Sequence, residues 1–117
     1  MKKILMTGAT RQIGSELVPA LRHKYGGDNV IAAGHKKPPH KALLEEGPYT
    51  TFDITEIESL AKVVREFRID TIFHLAAILP AAAEQNPQIA WKVNMEGLYN
   101  VLEVSRENGC SVFSPVQ

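Results

Sequence analysis

The stretch KKILMTGATRQIG, residues 2–14, decides the fold. Lys3-Ile4-Leu5-Met6-Thr7 is a nearly unbroken apolar run, as expected of a strand covered on both faces in a parallel sheet. Gly8 permits a tight turn with positive φ, and Gly14 lets the next helix pack closely on its strand. The start of that helix presents unpaired N–H groups suited to a phosphate. A glycine pattern that follows a strand and opens an amphipathic helix is a dinucleotide-binding signature. Arg11 departs from it, standing midway between Gly8 and Gly14 where the backbone must approach a pyrophosphate.

Outward from this stretch the chain alternates. Ile13, Leu17, Leu21 and Tyr25 recur every four residues and predict one buried helical stripe over residues 12–25, with a kink at Pro19. Residues 29–33 predict a second strand. Residues 34–48, with Pro38-Pro39 and Gly47-Pro48, predict its long loop, and residues 49–53 a third strand. Ile57, Leu60, Ala61, Val64 and Phe67 trace a helix, followed by a strand over residues 70–76. A loop rich in Pro and Ala leads to a long helix from about residue 87 to 107. Its inner face should carry Ala90, Val93, Asn94, Gly97, Leu98, Val101 and Ser105, and Asn108-Gly109 is its stop signal. Residues 111–114 begin a fifth strand.

Strands alternating with helices at this spacing predict an α/β fold, a Rossmann-type doubly wound parallel sheet in order 3-2-1-4-5, truncated after strand five. Residues 1–117 are expected to form one NAD(P)-binding domain, incomplete at its C-terminus. The ligand crevice should open beyond the strand ends between strands one and four. Four segments would line it: the Gly8 turn, the loop at Gly34, Asp53-Ile54, and residues 74–77.

Composition narrows the partners. Thirteen basic residues balance thirteen acidic ones and no basic block appears, so neither nucleic acid nor an anionic membrane is expected. A small-molecule nucleotide is the expected partner. The single Cys110 has no internal disulfide partner, and Met1 leads directly into a strand, so the expected compartment is the cytoplasm.

The acid that grips an adenine ribose is expected about 20 residues past the turn. That count from Gly14 lands on Gly34, which has no side chain, and His35, Lys36 and Lys37 follow. These three form either a solvated basic loop or a site for a 2′-phosphate. Asp53 suits either an adenine amino group or a turn or N-cap before the next helix. His74 sits among apolar neighbours as a satisfied core histidine, and the four histidines have no metal-ligand spacing. Asn94, on the predicted buried stripe, needs partners for its amide.

The segments TGATRQIG, FDIT, IDTIFHLAA, EQNPQIAW and VNMEGLYNVLEVSRENG resemble the N-terminal half of the extended short-chain dehydrogenase/reductases. Within that superfamily the chain is most similar to the NAD-dependent L-threonine 3-dehydrogenases, and more distantly to the UDP-sugar 4-epimerases. The resemblance implies NAD binding, oxidation of L-threonine to 2-amino-3-oxobutyrate, and commonly a dimer. It places Gly8, Gln12, Ile13 and Gly14, with Arg11 between them, at the pyrophosphate. Asp53 and Ile54 fall at the adenine, and Leu75, Ala76 and Ala77 on the nicotinamide side. Asn94 matches the asparagine that supports a proton relay.

The departures are specific. Arg11 replaces the middle glycine of the family turn, and Gly34 replaces its ribose-binding aspartate. Pro80 and Ala83 stand where the threonine dehydrogenases carry a serine and a glycine, and Gln117 falls near the expected catalytic hydroxyl. Tyr25, Tyr49 and Tyr99 have Asn29, Asp53 and Glu103 four residues on, so these 117 residues contain no Tyr-x-x-x-Lys. Weak NAD binding is expected, with NADP possible, and no catalytic base within the 117 residues. Two alternatives remain: a stand-alone nucleotide-binding or interaction module, and a piece of a UDP-sugar 4-epimerase-like protein. An uncovered sheet edge would also permit a homo-oligomer.

Overall fold

The computed structural model of the chain describes residues 2–9, 12–35, 39, 41–75 and 85–114. Five parallel strands, β1 (Ile4–Thr7), β2 (Val30–Gly34), β3 (Tyr49–Thr51), β4 (Thr71–His74) and β5 (Ser111–Phe113), form one sheet in the order β3-β2-β1-β4-β5. The connecting helices are α1 (Gln12–Tyr25), α2 (Lys41–Glu45), α3 (Ile57–Glu66) and α4 (Pro87–Asn108). This is the doubly wound Rossmann-type arrangement that the sequence predicts.

The period-2 alternation of the central strands builds two cores at once. Ile4 and Met6 of β1, with Val30 and Ala32 of β2, pack with Val18 of α1 and Leu43 of α2. Leu5, Ile31, Ala33 and Ile72 face the opposite side, against Leu60 and Val64 of α3 and Val101 and Val104 of α4. Because both faces are buried, β1 and β2 read as continuous apolar runs rather than alternating ones.

Three elements differ from the sequence-based expectation. On α1 the most buried residues are Gly14, Val18 and Arg22, while Leu17, Leu21 and Tyr25 are half-buried and Ile13 is 62% exposed. The helix turns its glycine row to the sheet because Gly14 allows the closest approach there. Arg22, passed over as a charged residue, is buried. Its Nε donates to the Val30 carbonyl (3.2 Å), one terminal nitrogen to that of Leu43 (2.9 Å) and the other to that of Pro48 (2.7 Å). One guanidinium thus joins α1, β2, α2 and the entry to β3, using the fork of donors that only arginine carries. α1 runs through Pro19 as a single helix.

The loop expected over residues 34–48 contains the short helix α2, whose Leu43 is buried in the core. On α4 the buried face includes Asn100 and Val104, which the predicted stripe omits, whereas Val93, Asn94 and Leu98 are half-buried. The helix ends at Gly109 with φ 68°, and the Cys110 N–H donates to the Ser105 carbonyl (2.9 Å), a Schellman turn. Trp91, Met95, Tyr99 and Leu102 lie exposed on α4, and Phe113 lies exposed on β5.

Candidate functional site

The parallel register aligns the C-terminal ends of the strands, with Met6 opposite Ala32 and Thr7 opposite His74. The turn after β1 begins at Gly8, whose φ of 67° favours glycine. The Ala9 N–H then donates to the Ala33 carbonyl (2.9 Å), fastening the turn to the end of β2. A Cβ built on Gly14 would stand 2.5 Å from the Gly8 carbonyl oxygen and 2.8 Å from the Ala9 Cα. No side chain fits between helix and turn at that point. The first-turn N–H groups of α1, at Gln12, Ile13 and Gly14, therefore open directly onto the turn, and no acidic residue lies in that first turn to offset the helix dipole. This cradle suits a pyrophosphate. Arg11, which follows it in sequence, lies outside the described residues.

At the far rim, β2 ends on Gly34, buried and without a side chain where a ribose carboxylate would stand. The Phe52 N–H donates to the Gly34 carbonyl (3.2 Å), so the segment after β3 runs alongside. Asp53 Oδ1 accepts from the Thr55 N–H (2.9 Å) and from its hydroxyl (2.7 Å). This is an Asx turn rather than an N-cap, because α3 begins after Glu56. Asp53 Oδ2 lies 3.9 Å from His35 Nε2. Ile54 turns inward, and its side chain belongs to the core. Lys36 and Lys37 lie outside the described residues.

On the other side of the crevice, the Thr7 hydroxyl stands 2.9 Å from His74 Nδ1, and the Leu75 N–H donates to the same oxygen (3.0 Å). His74 is 3% exposed, and burial pushes its pKa below the ordinary histidine value. It is a satisfied core histidine, as its apolar neighbours imply. Ala76 and Ala77, together with Pro80, Ala83 and Gln117, lie outside the described residues. Asn94 is half-buried on α4 and has a polar partner of its own.

Two residues beyond the sequence-based candidates hold the rim together. Asn100 donates from Nδ2 to the Ile54 carbonyl (2.9 Å), and Thr7 joins β1 to β4. The signal for Thr7 is a lone polar residue closing an apolar strand. For Asn100 it is an amide set between the buried Gly97 and Val101. Gly97 faces the same place: a Cβ there would lie 3.1 Å from Ile54 Cγ2 and 3.8 Å from His74 Cε1. Among the described residues no group of His, Cys, Asp and Glu is placed to hold a metal ion. None of their helices is long and apolar enough to cross a membrane.

The parallel sheet, the glycine turn and the helix seated on it define a Rossmann-type protein. The chain belongs to the NAD dependent epimerase/dehydratase family, whose model matches residues 4–115. Over 115 residues it is 46% identical to an uncharacterized epimerase/dehydratase of Staphylococcus saprophyticus, covering 98% of this chain and 36% of that relative. Among solved structures it is similar to the L-threonine dehydrogenase of Clostridium difficile. There the TM-score is 0.90 at 42% identity, over 97% of this chain and 36% of that one. It is also similar to the Thermus thermophilus UDP-glucose 4-epimerase solved with NAD, with a TM-score of 0.80 at 27% identity over 92% of this chain and 34% of that one. The chain thus spans about a third of the length of the proteins it matches.

Proposed function

We propose that residues 1–117 are the NAD(P)-binding domain of an oxidoreductase of the L-threonine 3-dehydrogenase type, acting in the cytoplasm. The observation that carries this reading is the close seating of Gly14 on the Gly8 turn, where an added Cβ would stand 2.5 Å from the Gly8 carbonyl oxygen, which leaves the start of α1 open to a pyrophosphate. The 42% identity to the Clostridium difficile L-threonine dehydrogenase supports the choice of reaction. Gly8, Arg11, Gln12, Ile13 and Gly14 hold the pyrophosphate, largely through backbone N–H groups. Asp53 and Ile54 meet the adenine, Ile54 through its backbone because its side chain is buried. Leu75, Ala76 and Ala77 flank the nicotinamide, and Asn94 supports the proton relay.

A bound nicotinamide would accept the hydride from the substrate alcohol, and the alcohol proton needs a base. His74 is unsuited to that task, being buried and engaged with Thr7. No Tyr-x-x-x-Lys lies within the 117 residues, so this polypeptide binds cofactor without turning over L-threonine.

Calorimetric titration with NAD, NADP and UDP-glucose, together with an assay of NAD reduction by L-threonine, tests the reading. Weak NAD binding with no turnover is expected. Robust turnover by the pure 117-residue chain would refute the missing-base argument. Binding of UDP-glucose would favour the epimerase-like alternative, which the Thermus thermophilus likeness supports, and binding of no dinucleotide would leave an interaction module.

A further inference from the structure

Asn100 carries an amide into the interior from α4, 7% exposed between the buried Gly97 and Val104. Burying an amide among apolar neighbours costs free energy unless it is hydrogen-bonded, and a leucine would fill the place without that cost. The bond that Asn100 makes is to the rim of the crevice, where Nδ2 donates to the Ile54 carbonyl (2.9 Å). Gly97, one turn earlier, admits the Ile54 side chain so closely that an added Cβ would lie 3.1 Å from its Cγ2. The Ile54 carbonyl and the Thr55 N–H belong to one peptide unit, and that N–H donates to Asp53 Oδ1 (2.9 Å). The unit is planar and trans, so its carbonyl and its N–H point to opposite sides. Fixing the carbonyl toward α4 therefore fixes the N–H toward the carboxylate. The Thr55 hydroxyl adds a second bond to Oδ1 (2.7 Å), and the Asp53 side chain, 36% exposed, stands at the rim.

We infer that Asn100 is a positioning residue for base recognition: acting through the Ile54–Thr55 peptide, it sets the direction of the Asp53 carboxylate and with it the preference for a purine that carries a 6-amino group. The assignment deepens the reading above that Asp53 meets the adenine, and rests on it. Asn100 is buried beneath the segment and acts without touching the base. A carboxylate accepts hydrogen bonds and cannot donate, so the aimed Asp53 accepts from a 6-amino group and repels a 6-oxo group. Without the Asn100 bond the Ile54–Thr55 peptide is free to rotate, and the Thr55 N–H loses its fixed direction. Asp53 then keeps its charge but not its aim. The loss falls on discrimination between bases more than on the grip on the pyrophosphate, which the Gly8 turn and the start of α1 supply separately.

Nicotinamide hypoxanthine dinucleotide differs from NAD in its purine alone, with a 6-oxo in place of the 6-amino group, so the ratio of the two affinities in calorimetric titration reads the aim of the carboxylate. The wild type should prefer NAD by about tenfold, the scale of one charge-assisted hydrogen bond. Asn100→Leu and the milder Asn100→Ser should bring the two affinities to within about threefold of each other. Gly109→Ala, which weakens the fold at the far end of the same helix, should keep the wild-type ratio and so separate aim from stability. The wild-type chain gives a readout that needs no variant: the Asn100 side-chain amide resonances should shift on adding NAD and shift less with the hypoxanthine dinucleotide. Undiminished preference in a folded Asn100 variant, or equal shifts of that amide with the two dinucleotides, would overturn the role of Asn100 and leave the adenine reading standing. No preference in the wild type, with both dinucleotides bound, would overturn the contact of Asp53 with the base and this role together. Binding of neither would overturn the nucleotide site itself.

Discussion

The Thr7 hydroxyl lies 2.9 Å from His74 Nδ1, where β1 and β4 end side by side, and it also accepts the Leu75 N–H. With that N–H donating to the oxygen, we assign the hydroxyl proton to Nδ1 and the ring proton to Nε2. Replacing Thr7 by Val keeps the shape and removes the oxygen, leaving a buried imidazole nitrogen unpaired. A loss of about 1–3 kcal/mol in urea unfolding is expected. A Thr7→Val midpoint equal to that of the wild type would show that the bond adds no net stability.

His74 also gives the fold an acid sensitivity. Burial holds its pKa below the ordinary value of about 6.5, so the unfolded chain takes up the proton first as pH falls. The stability it contributes is complete above about pH 6.5 and is lost as pH drops from there toward the folded value. Urea midpoints at about pH 7.5 and 5.5 should therefore diverge more for the wild type than for His74→Gln. Parallel losses in the two proteins would assign the sensitivity to other groups.

Two glycines separate packing from backbone strain. Gly14→Ala places a carbon 2.5 Å from the Gly8 carbonyl, so α1 must withdraw from the turn. NAD affinity should drop by about tenfold or more, with about 1–3 kcal/mol of stability. Gly109→Ala meets nothing within 4 Å and suffers only from its φ of 68°. It should cost about 1–2 kcal/mol and leave NAD binding unchanged. Equal effects of the two on binding would contradict the cradle.

Arg22 reaches three carbonyls from a buried position. Arg22→Met fills similar space but strands those acceptors, and a loss of about 3 kcal/mol is expected from chemical denaturation. Arg22→Lys should recover only part, because one ammonium cannot span three directions. Full recovery by lysine would show that charge alone suffices.

Affinity for NAD should be limited at two points. Gly34 withholds a charge-assisted pair of ribose bonds, about 1.5–3 kcal/mol or roughly 10- to 100-fold in affinity. Arg11→Gly and Gly34→Asp should each tighten NAD binding, and their effects should add, since they touch different parts of one ligand. Tight binding by the wild type, unmoved by Arg11→Gly, would mean that the arginine points away from the pyrophosphate.

The sheet order was readable because the central strands β1 and β2 are apolar runs and the longer helices α1, α3 and α4 repeat their apolar residues at helical spacing. What escaped is where polarity and packing disagree. Arg22 interrupts the buried row of α1, so the eye follows Leu17 and Leu21 to the helix's flank instead. α2 spans one turn between Pro38-Pro39 and Gly47-Pro48, too short to show a period. At the site, Gly8, Gly14 and Asp53 announce themselves by type and spacing. The His35–Asp53 and Asn100–Ile54 pairs join residues distant in the chain, and only the folded register brings them together.

Gly97 and Asn100 seat α4 on two strand ends at once, Ile54 beyond β3 and His74 on β4. The middle of the helix is thereby fixed to the rim of the crevice. Any shift of the Asp53–Ile54 segment pulls on the carbonyl to which Asn100 is tied. Beyond that contact the helix continues to the Gly109 turn, where the Cys110 thiol donates to the Ile69 carbonyl at the opposite margin of the sheet. If a dinucleotide holds the Asp53–Ile54 segment, that hold should be felt along α4, and slowed amide exchange at Cys110 on adding NAD is the expected sign.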